Sequence, residues 1–462
     1  MRIPISEFQR RSISGPVMKE DEFNLKVAFK AREVVKKHGI KFNPDEVIPD
    51  DETSHAVFEA AVEMLSEVGL FNKDSHRVIE LSREEVLGIA SAQMARPGTK
   101  TIGRNGEAYE LKRRKPDDKE VPLSLYAASI SPMDDDKFIP YVKNFAQEET
   151  CKGFAGMPAS LKLYDGLDPK SGAPSEAMVA LRELEWTLQA LREVGRPDLW
   201  IGPTWVAATP GAITLLLREG LMEPHNGQIA MHTMPELKLD WDRLTLAYVA
   251  EERNIEQWVS PSACVGLICS RPPETAVTTV AALLGQLGYG NGQIALSGAY
   301  DRWGSTSSRA VQWAGNAAKR AAGLHIGTLE GQHCPADAGA GTEMACFERA
   351  AQVISGTGSG ASWVFYPACR MGLGEGHTTG LEGRFMAETA EAVAGMSRED
   401  SNALLQRVLA LYEDDKKNDN VPEGETFLEL YDLDTLQPHS RYLDVHKKAK
   451  EKLAAAGVNY KQ

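Results

Sequence analysis

The chain has six cysteines, Cys151, Cys264, Cys269, Cys334, Cys346 and Cys369, and no two form a CxxC pair. Without that spacing a zinc ribbon is excluded, and a chain of 462 residues needs no disulfide staples. Free thiols suit a reducing compartment, so a cytoplasmic location is expected. Basic charge is also in short supply. Fifty-one Lys and Arg stand against 65 Asp and Glu, a formal net charge of −14. A nucleic-acid surface would show a basic stripe, so no such partner is expected. No window approaches ~18 consecutive apolar residues, the length of a membrane span. The opening residues, Met1 to Phe8, carry no apolar run of the signal-peptide kind. Internal repeats and low-complexity tracts are missing as well.

What is present is ordinary for a globular protein, 42% apolar and 25% charged residues. The length allows one large domain with appendages, or two or three smaller ones. Asn24 to Lys37 and Thr53 to Val68 space their apolar residues at three and four, as helices do. Arg96 to Lys119 is basic and Gly-bearing, and reads as a loop or short hairpin. From about residue 121 short β-prone runs recur: 123–129, 153–158, 199–203, 228–232, 256–260, 293–297, 324–328 and 363–367. Helix-length segments separate most of them. Eight such alternations have the size and count of a (β/α)8 barrel, with an open doubly wound sheet as the alternative. The expected organisation is a helical N-terminal extension over 1–120, a (β/α)8 TIM barrel over 121–395 and a C-terminal helical segment over 396–462.

Asp301 to Arg309, Asp-Arg-Trp-Gly-Ser-Thr-Ser-Ser-Arg, is the most informative stretch. It follows a strand-like run and precedes a helix-like one, the place where α/β barrels put their chemistry. Its wording closely resembles the corresponding loop of the monomethylamine:corrinoid methyltransferases of methanogens. Further matching motifs are Gly195-Arg196-Pro197, Gly202-Pro203, Glu236 to Asp240, Ile255-Glu256-Gln257, Gly341 to Met344 and Gly380-Leu381-Glu382. They cover most of the chain and are densest between 190 and 400. The resemblance implies a (β/α)8 barrel with helical additions, usually a homo-oligomer, that passes a methyl group from a small amine to the Co(I) corrinoid of a partner protein. This chain carries no corrinoid-binding signature of its own, so the cobalamin is expected on that partner.

In the family a pyrrolysine follows the Gly-Pro, and its imine ring is thought to capture the amine. Here Thr204 and then Trp205 follow Gly202-Pro203. A hydroxyl cannot form that adduct. By the same resemblance the family's pocket glutamate carries over to Glu256 and its glutamine to Gln332. Its tyrosine position falls on Cys334, with His333 just before it. The expected catalytic residues are therefore Glu256, Gln332 and Thr204. Trp205, Trp258, His232, His333, Cys334 and Arg302 are expected to bind substrate. Thr204, Glu256, Gln332, His333 and Cys334 should then face one cavity at the C-terminal end of the barrel.

Methyl transfer to a strong nucleophile requires positioning of the donor and a good leaving group. A quaternary ammonium leaves as a neutral amine without covalent help. The tryptophans and Glu256 are residue types that bind such a cation, so a quaternary donor is expected to be preferred over monomethylamine. Glu256 stands at the start of its run, whereas barrel chemistry sits at strand C-termini. Either the strand begins earlier or Glu256 lies deep in the barrel. Arg302 and Arg309, which flank the Ser-Thr loop, suit a substrate carboxylate or a loop-holding salt bridge. Two other functions stay open. One is zinc-dependent transfer from an O- or S-methyl donor, using His333, Cys334 and Asp337, joined by Cys269. The other is a non-catalytic barrel that acts as a binding protein.

Overall fold

The computed structural model describes the chain except residues 1–2, 128–131, 155, 157, 161–168, 203–206, 233–235, 268, 270, 302–303, 371–373 and 462. For Ser160, Met231 and His232 it describes the backbone alone.

Seven short strands run parallel: β1 (Leu123–Tyr126), β2 (Gly153–Phe154), β3 (Gln228–His232), β4 (Glu256–Ser260), β5 (Ile294–Ala295), β6 (Leu329–His333) and β7 (Trp363–Phe365). Their order across the sheet is β2-β1-β7-β6-β5-β4-β3. The two ends of this curled sheet meet on the 199–202 segment. Phe154 donates its backbone N–H to the Trp200 carbonyl at 2.6 Å, and Ile201 donates to Asn226 at 2.6 Å. Gly202 forms a parallel bridge with Gly227. This segment is the eighth stave of a (β/α)8 barrel.

Alternation along each strand sorts side chains between the lumen and the helical layer. Leu125, Ala127, Trp200, Trp258, Ile294, Leu296, Leu329, Trp363 and Phe365 form a buried interior cluster distinct from the larger core outside the strands. Gly331 belongs to the inward set of β6, and a Cβ there would collide with the Trp363 indole. Outward positions meet helices. Val259 and Val364 join the outer core.

A hairpin of Thr99–Ile102 and Tyr109–Lys112 closes the N-terminal end of the barrel. Its Ile102 and Leu111 belong to the interior cluster. The hairpin is the ordered form of the segment expected as a loop or short hairpin. Helices after the strands start where the sequence supplies a capping oxygen. Ser308, Thr342 and Thr379 each accept a backbone N–H at the head of helices Arg309–His325, Glu343–Gly358 and Gly380–Val393. The N-terminal helices and the C-terminal helix Ser440–Ala456 share one apolar core with the barrel's helices. No described helix is long and apolar enough to cross a membrane.

Candidate active site at the barrel mouth

The strands end in a rim of partly exposed polar residues. Ala263–Val265 and Ala299–Asp301 pair in parallel beyond β4 and β5 and extend that rim. At its centre stands His333, the last residue of β6, on the same face of the strand as Leu329 and Gly331. Its imidazole lies flat on the Tyr366 ring, with centroids 4.7 Å apart and planes at 7°. Phe365 stacks at 5.5 Å and Tyr300 meets the imidazole edge-on at 5.4 Å. Burial among these rings pushes the His333 pKa down to about 3. Its Nδ1 is sealed from solvent and has no hydrogen-bond partner among the described residues. Tyr366 adopts φ of +60°, a left-handed conformation that an aromatic residue rarely takes. Its backbone is strained where its ring covers the imidazole.

Beside this box lies a charged network. Lys416, from the short helix Glu413–Lys417, contacts Asp337 and approaches Ser305 Oγ at 2.7 Å. Ser307 Oγ donates to Glu348 Oε1 at 2.7 Å, and Ala338 donates its N–H to Oε2 at 3.0 Å. Burial, with Asp337 nearby, raises the Glu348 pKa to about 7. Arg309 pairs with Glu413 at 2.6 Å, so it ties the Ser-Thr loop to the C-terminal segment rather than offering itself to substrate.

Several expected site residues lie elsewhere. Glu256 begins β4 at the N-terminal end of the barrel, which resolves its position as deep inside with the strand starting where the sequence put it. Its carboxylate pairs with Lys100 of the hairpin at 2.8 Å and accepts the Gln293 backbone N–H at 2.6 Å. Trp258 is buried in the interior cluster, edge-on to Trp363 at 5.6 Å and to Phe365 at 4.9 Å. It supports the floor of the mouth from within. Gln332 and Cys334 take the outward phase of β6 and leave the barrel mouth to His333. Gln332 accepts a hydrogen bond from buried Lys319 and packs against Gly356 of a flanking helix. The Cys334 thiol turns to the Gln332 carbonyl at 3.4 Å. The physical reason is the two-residue period, in which one step of register reverses every side chain. Thr204, Trp205 and Arg302 lie outside the described residues, and of His232 only the backbone is described, at the end of β3.

The expected zinc group does not assemble. Cys334 points away from His333, and Asp337 is engaged by Lys416. Among the described residues one group has metal-ligand spacing, Cys346, Glu382 and His446, with candidate atoms within 4.8 Å of one another. It is fully enclosed, and Glu382 is already held by Arg349, Tyr442 and His446. A cavity of about 910 Å³ opens between Arg113, Lys319, Arg320 and Arg398, and no expected site residue lines it.

Tyr300, Phe365, Tyr366 and the Lys416 network were not singled out from sequence. Tyr300 directly precedes the Asp301–Arg309 loop, so that loop was the available signal. Nothing local marks Lys416, whose place depends on how the C-terminal segment folds back.

A closed parallel barrel with its accessible polar groups at the strand C-termini is an enzyme of the TIM-barrel class. The sequence matches the family described as "Monomethylamine methyltransferase MtmB" over residues 3–458, and the chain belongs to that family of methyltransferases. It is 29% identical to the monomethylamine methyltransferase MtmB2 of Methanosarcina acetivorans over 98% of this chain and 97% of the relative. It is 28% identical to MtmB of Methanosarcina mazei over the same shares. The crystal structure of the Methanosarcina barkeri monomethylamine methyltransferase superposes with a TM-score of 0.92 at 25% identity, covering 100% of this chain and 99% of that one.

Proposed function

We propose that the chain transfers a methyl group from a small N-methylated ammonium compound to the Co(I) corrinoid of a partner protein. Family membership supplies the reaction class. The observation that carries the reading to this chain is the aromatic box of Tyr300, Phe365 and Tyr366 around His333 at the C-terminal mouth. Small alkylammonium ions are attracted to aromatic faces, and water excluded from such a box strengthens that attraction. His333 and Tyr300 stay partly exposed toward the open end, so a reactive group presented from outside can reach what they hold.

The corrinoid supplies the nucleophile. The chain's own task is to hold the donor so that its methyl faces the opening, and to let nitrogen depart as a neutral amine. Thr204, next after Gly202-Pro203, supplies no electrophile for covalent capture, so the box must bind the donor without an adduct. Thr204, Trp205, Arg302 and His232 remain the sequence-derived candidates for the other wall of the pocket. Assembly as a homo-oligomer belongs to the same reading.

The test is methyl transfer in a reconstituted mixture of this chain, reduced corrinoid protein and a panel of methylated amines, followed by cobalt absorption. Cobalt methylation that requires this chain is expected. Absence of transfer from every N-methyl compound would overturn the reading.

A further inference from the structure

We infer that His333 is the residue that recognises the donor's ammonium group, its neutral imidazole accepting a hydrogen bond from the substrate N–H. The inference rests on the proposed activity and assigns a function to a group that activity leaves unexplained.

A neutral imidazole has one donor and one acceptor nitrogen. Buried polar atoms in folded proteins are almost always paired. The Nδ1 of His333 is an exception, sealed from solvent with no described residue bonded to it, and Nε2, on a ring that is partly exposed, is the nitrogen left to a ligand. The ring is also held with care. Phe365 and Tyr366 stack on it, Tyr300 meets it edge-on, and Tyr366 keeps its place at a strained φ of +60°. Strain of this kind persists at sites where surrounding structure enforces it, and it clusters at ligand-holding positions.

The arrangement suits one kind of ligand. A methylated cation seated at the mouth meets the partly exposed Tyr300 ring, and its N–H satisfies the imidazole lone pair. An imidazole whose own pKa lies near 3 accepts that hydrogen bond without removing the proton. An alkylammonium is as reluctant to lose its proton as the lysine side chain, at about 10. The charge therefore stays on nitrogen. When the carbon–nitrogen bond breaks, its electron pair stays with nitrogen, the methyl passes to the acceptor, and a neutral amine leaves with its N–H intact. No proton moves to His333.

A quaternary nitrogen has no N–H to offer. The preference for a quaternary donor expected from sequence relied in part on Trp258 and Glu256, and both lie below the mouth. On the present inference that preference is reversed. His333 is then a specificity-determining residue that holds the amine by a hydrogen bond.

Binding is measured first on the full chain alone, with methylammonium, trimethylammonium and tetramethylammonium as probes. Calorimetry gives affinity, and nitrogen NMR of the imidazole reports the hydrogen bond. Trimethylammonium is expected to shift a ring nitrogen of His333 and to bind at least about tenfold more tightly than tetramethylammonium, since a site built to hydrogen-bond rejects an analogue without the donor. His333→Phe is expected to erase that preference, and His333→Gln, which keeps an acceptor, to restore part of it. Equal binding of the two ions by the wild type, a preference that survives in His333→Phe, or no binding of any ammonium sinks the inference. The transfer assay separates the two levels. Cobalt methylation with the same donor preference in wild type and His333→Phe removes His333's role and leaves the proposed activity standing, whereas no cobalt methylation from any donor removes the activity itself.

Discussion

Glu256 accepts the Gln293 N–H and pairs with Lys100, so one carboxylate joins two barrel strands to the hairpin beneath them. Its role is positional. Substituting Glu256→Gln weakens a buried charge-assisted contact and is expected to lower unfolding free energy by about 1–3 kcal/mol. Denaturant titration reads this directly. Ammonium affinity, measured on the same variant by calorimetry, should stay at the wild-type value because the mouth is at the other end of the strand. A large affinity loss with unchanged stability would return Glu256 to the site. His333 is the opposite case, since it has no structural bond to lose.

Among the elements, β6 shows what sequence can and cannot convey. The runs 228–232 and 256–260 coincide with β3 and β4, because both are apolar or β-prone and bounded by polar turns. The run 324–328 does not: Leu324 and His325 finish a helix, and the strand is Leu329–His333. Leu-Glu-Gly-Gln-His hides its burial. Its outward Glu330 and Gln332 are satisfied by Thr328, Ser297 and Lys319, and its inward Gly331 makes room for Trp363. Polar residues paired by distant partners cannot be recognised as buried from local pattern. The family motif pointed to Gln332, His333 and Cys334 together, and the pleat turns His333 toward the mouth and the other two away from it. The Ser-Thr loop stood out in the sequence, but its lock, the helix Glu413–Lys417, did not. That lock has a pH signature. The native Glu348 pKa is about 7 against an ordinary 4.5, so over that interval the native state retains a proton the unfolded chain releases. Stability from this group is full at the acid end and declines as pH rises toward 7. Glu348→Gln cannot ionise. The stability of wild type relative to this variant should therefore fall across that window and level off above it, as pH-dependent melting would show. A difference that grows with pH would contradict the burial argument.

Across the whole molecule, one buried ion pair joins the C-terminal addition to the barrel. Arg349 of helix Glu343–Gly358 contacts Glu382 of helix Gly380–Val393, and both side chains are fully buried. Glu382 also accepts from Tyr442 at 2.6 Å and meets His446, both on the last helix. The pair, with these bonds, holds the Glu382 pKa down to about 2 despite burial, so its stabilisation is present above the usual carboxylate range and lost as pH falls toward 2. Arg349→Met strands a buried carboxylate and is expected to cost about 3–5 kcal/mol. The check is chemical denaturation at neutral pH, where a loss under about 1 kcal/mol would show the pair to be replaceable.

The hairpin that seals the N-terminal end has a kinetic meaning. With Ile102 and Leu111 seated among the interior residues, the barrel is packed at that end, which leaves the strand C-termini as the side that can receive ligands. On the proposed activity, donor and methyl acceptor would share that side, and whichever arrives second stands in the doorway. On that reading the amine enters before a corrinoid protein docks, and the demethylated product waits for that protein to depart. Initial-rate measurements should show a compulsory order, with excess corrinoid protein inhibiting by blocking the doorway of the empty chamber. Random order, with no inhibition at high partner concentration, would mean the chamber has a second exit.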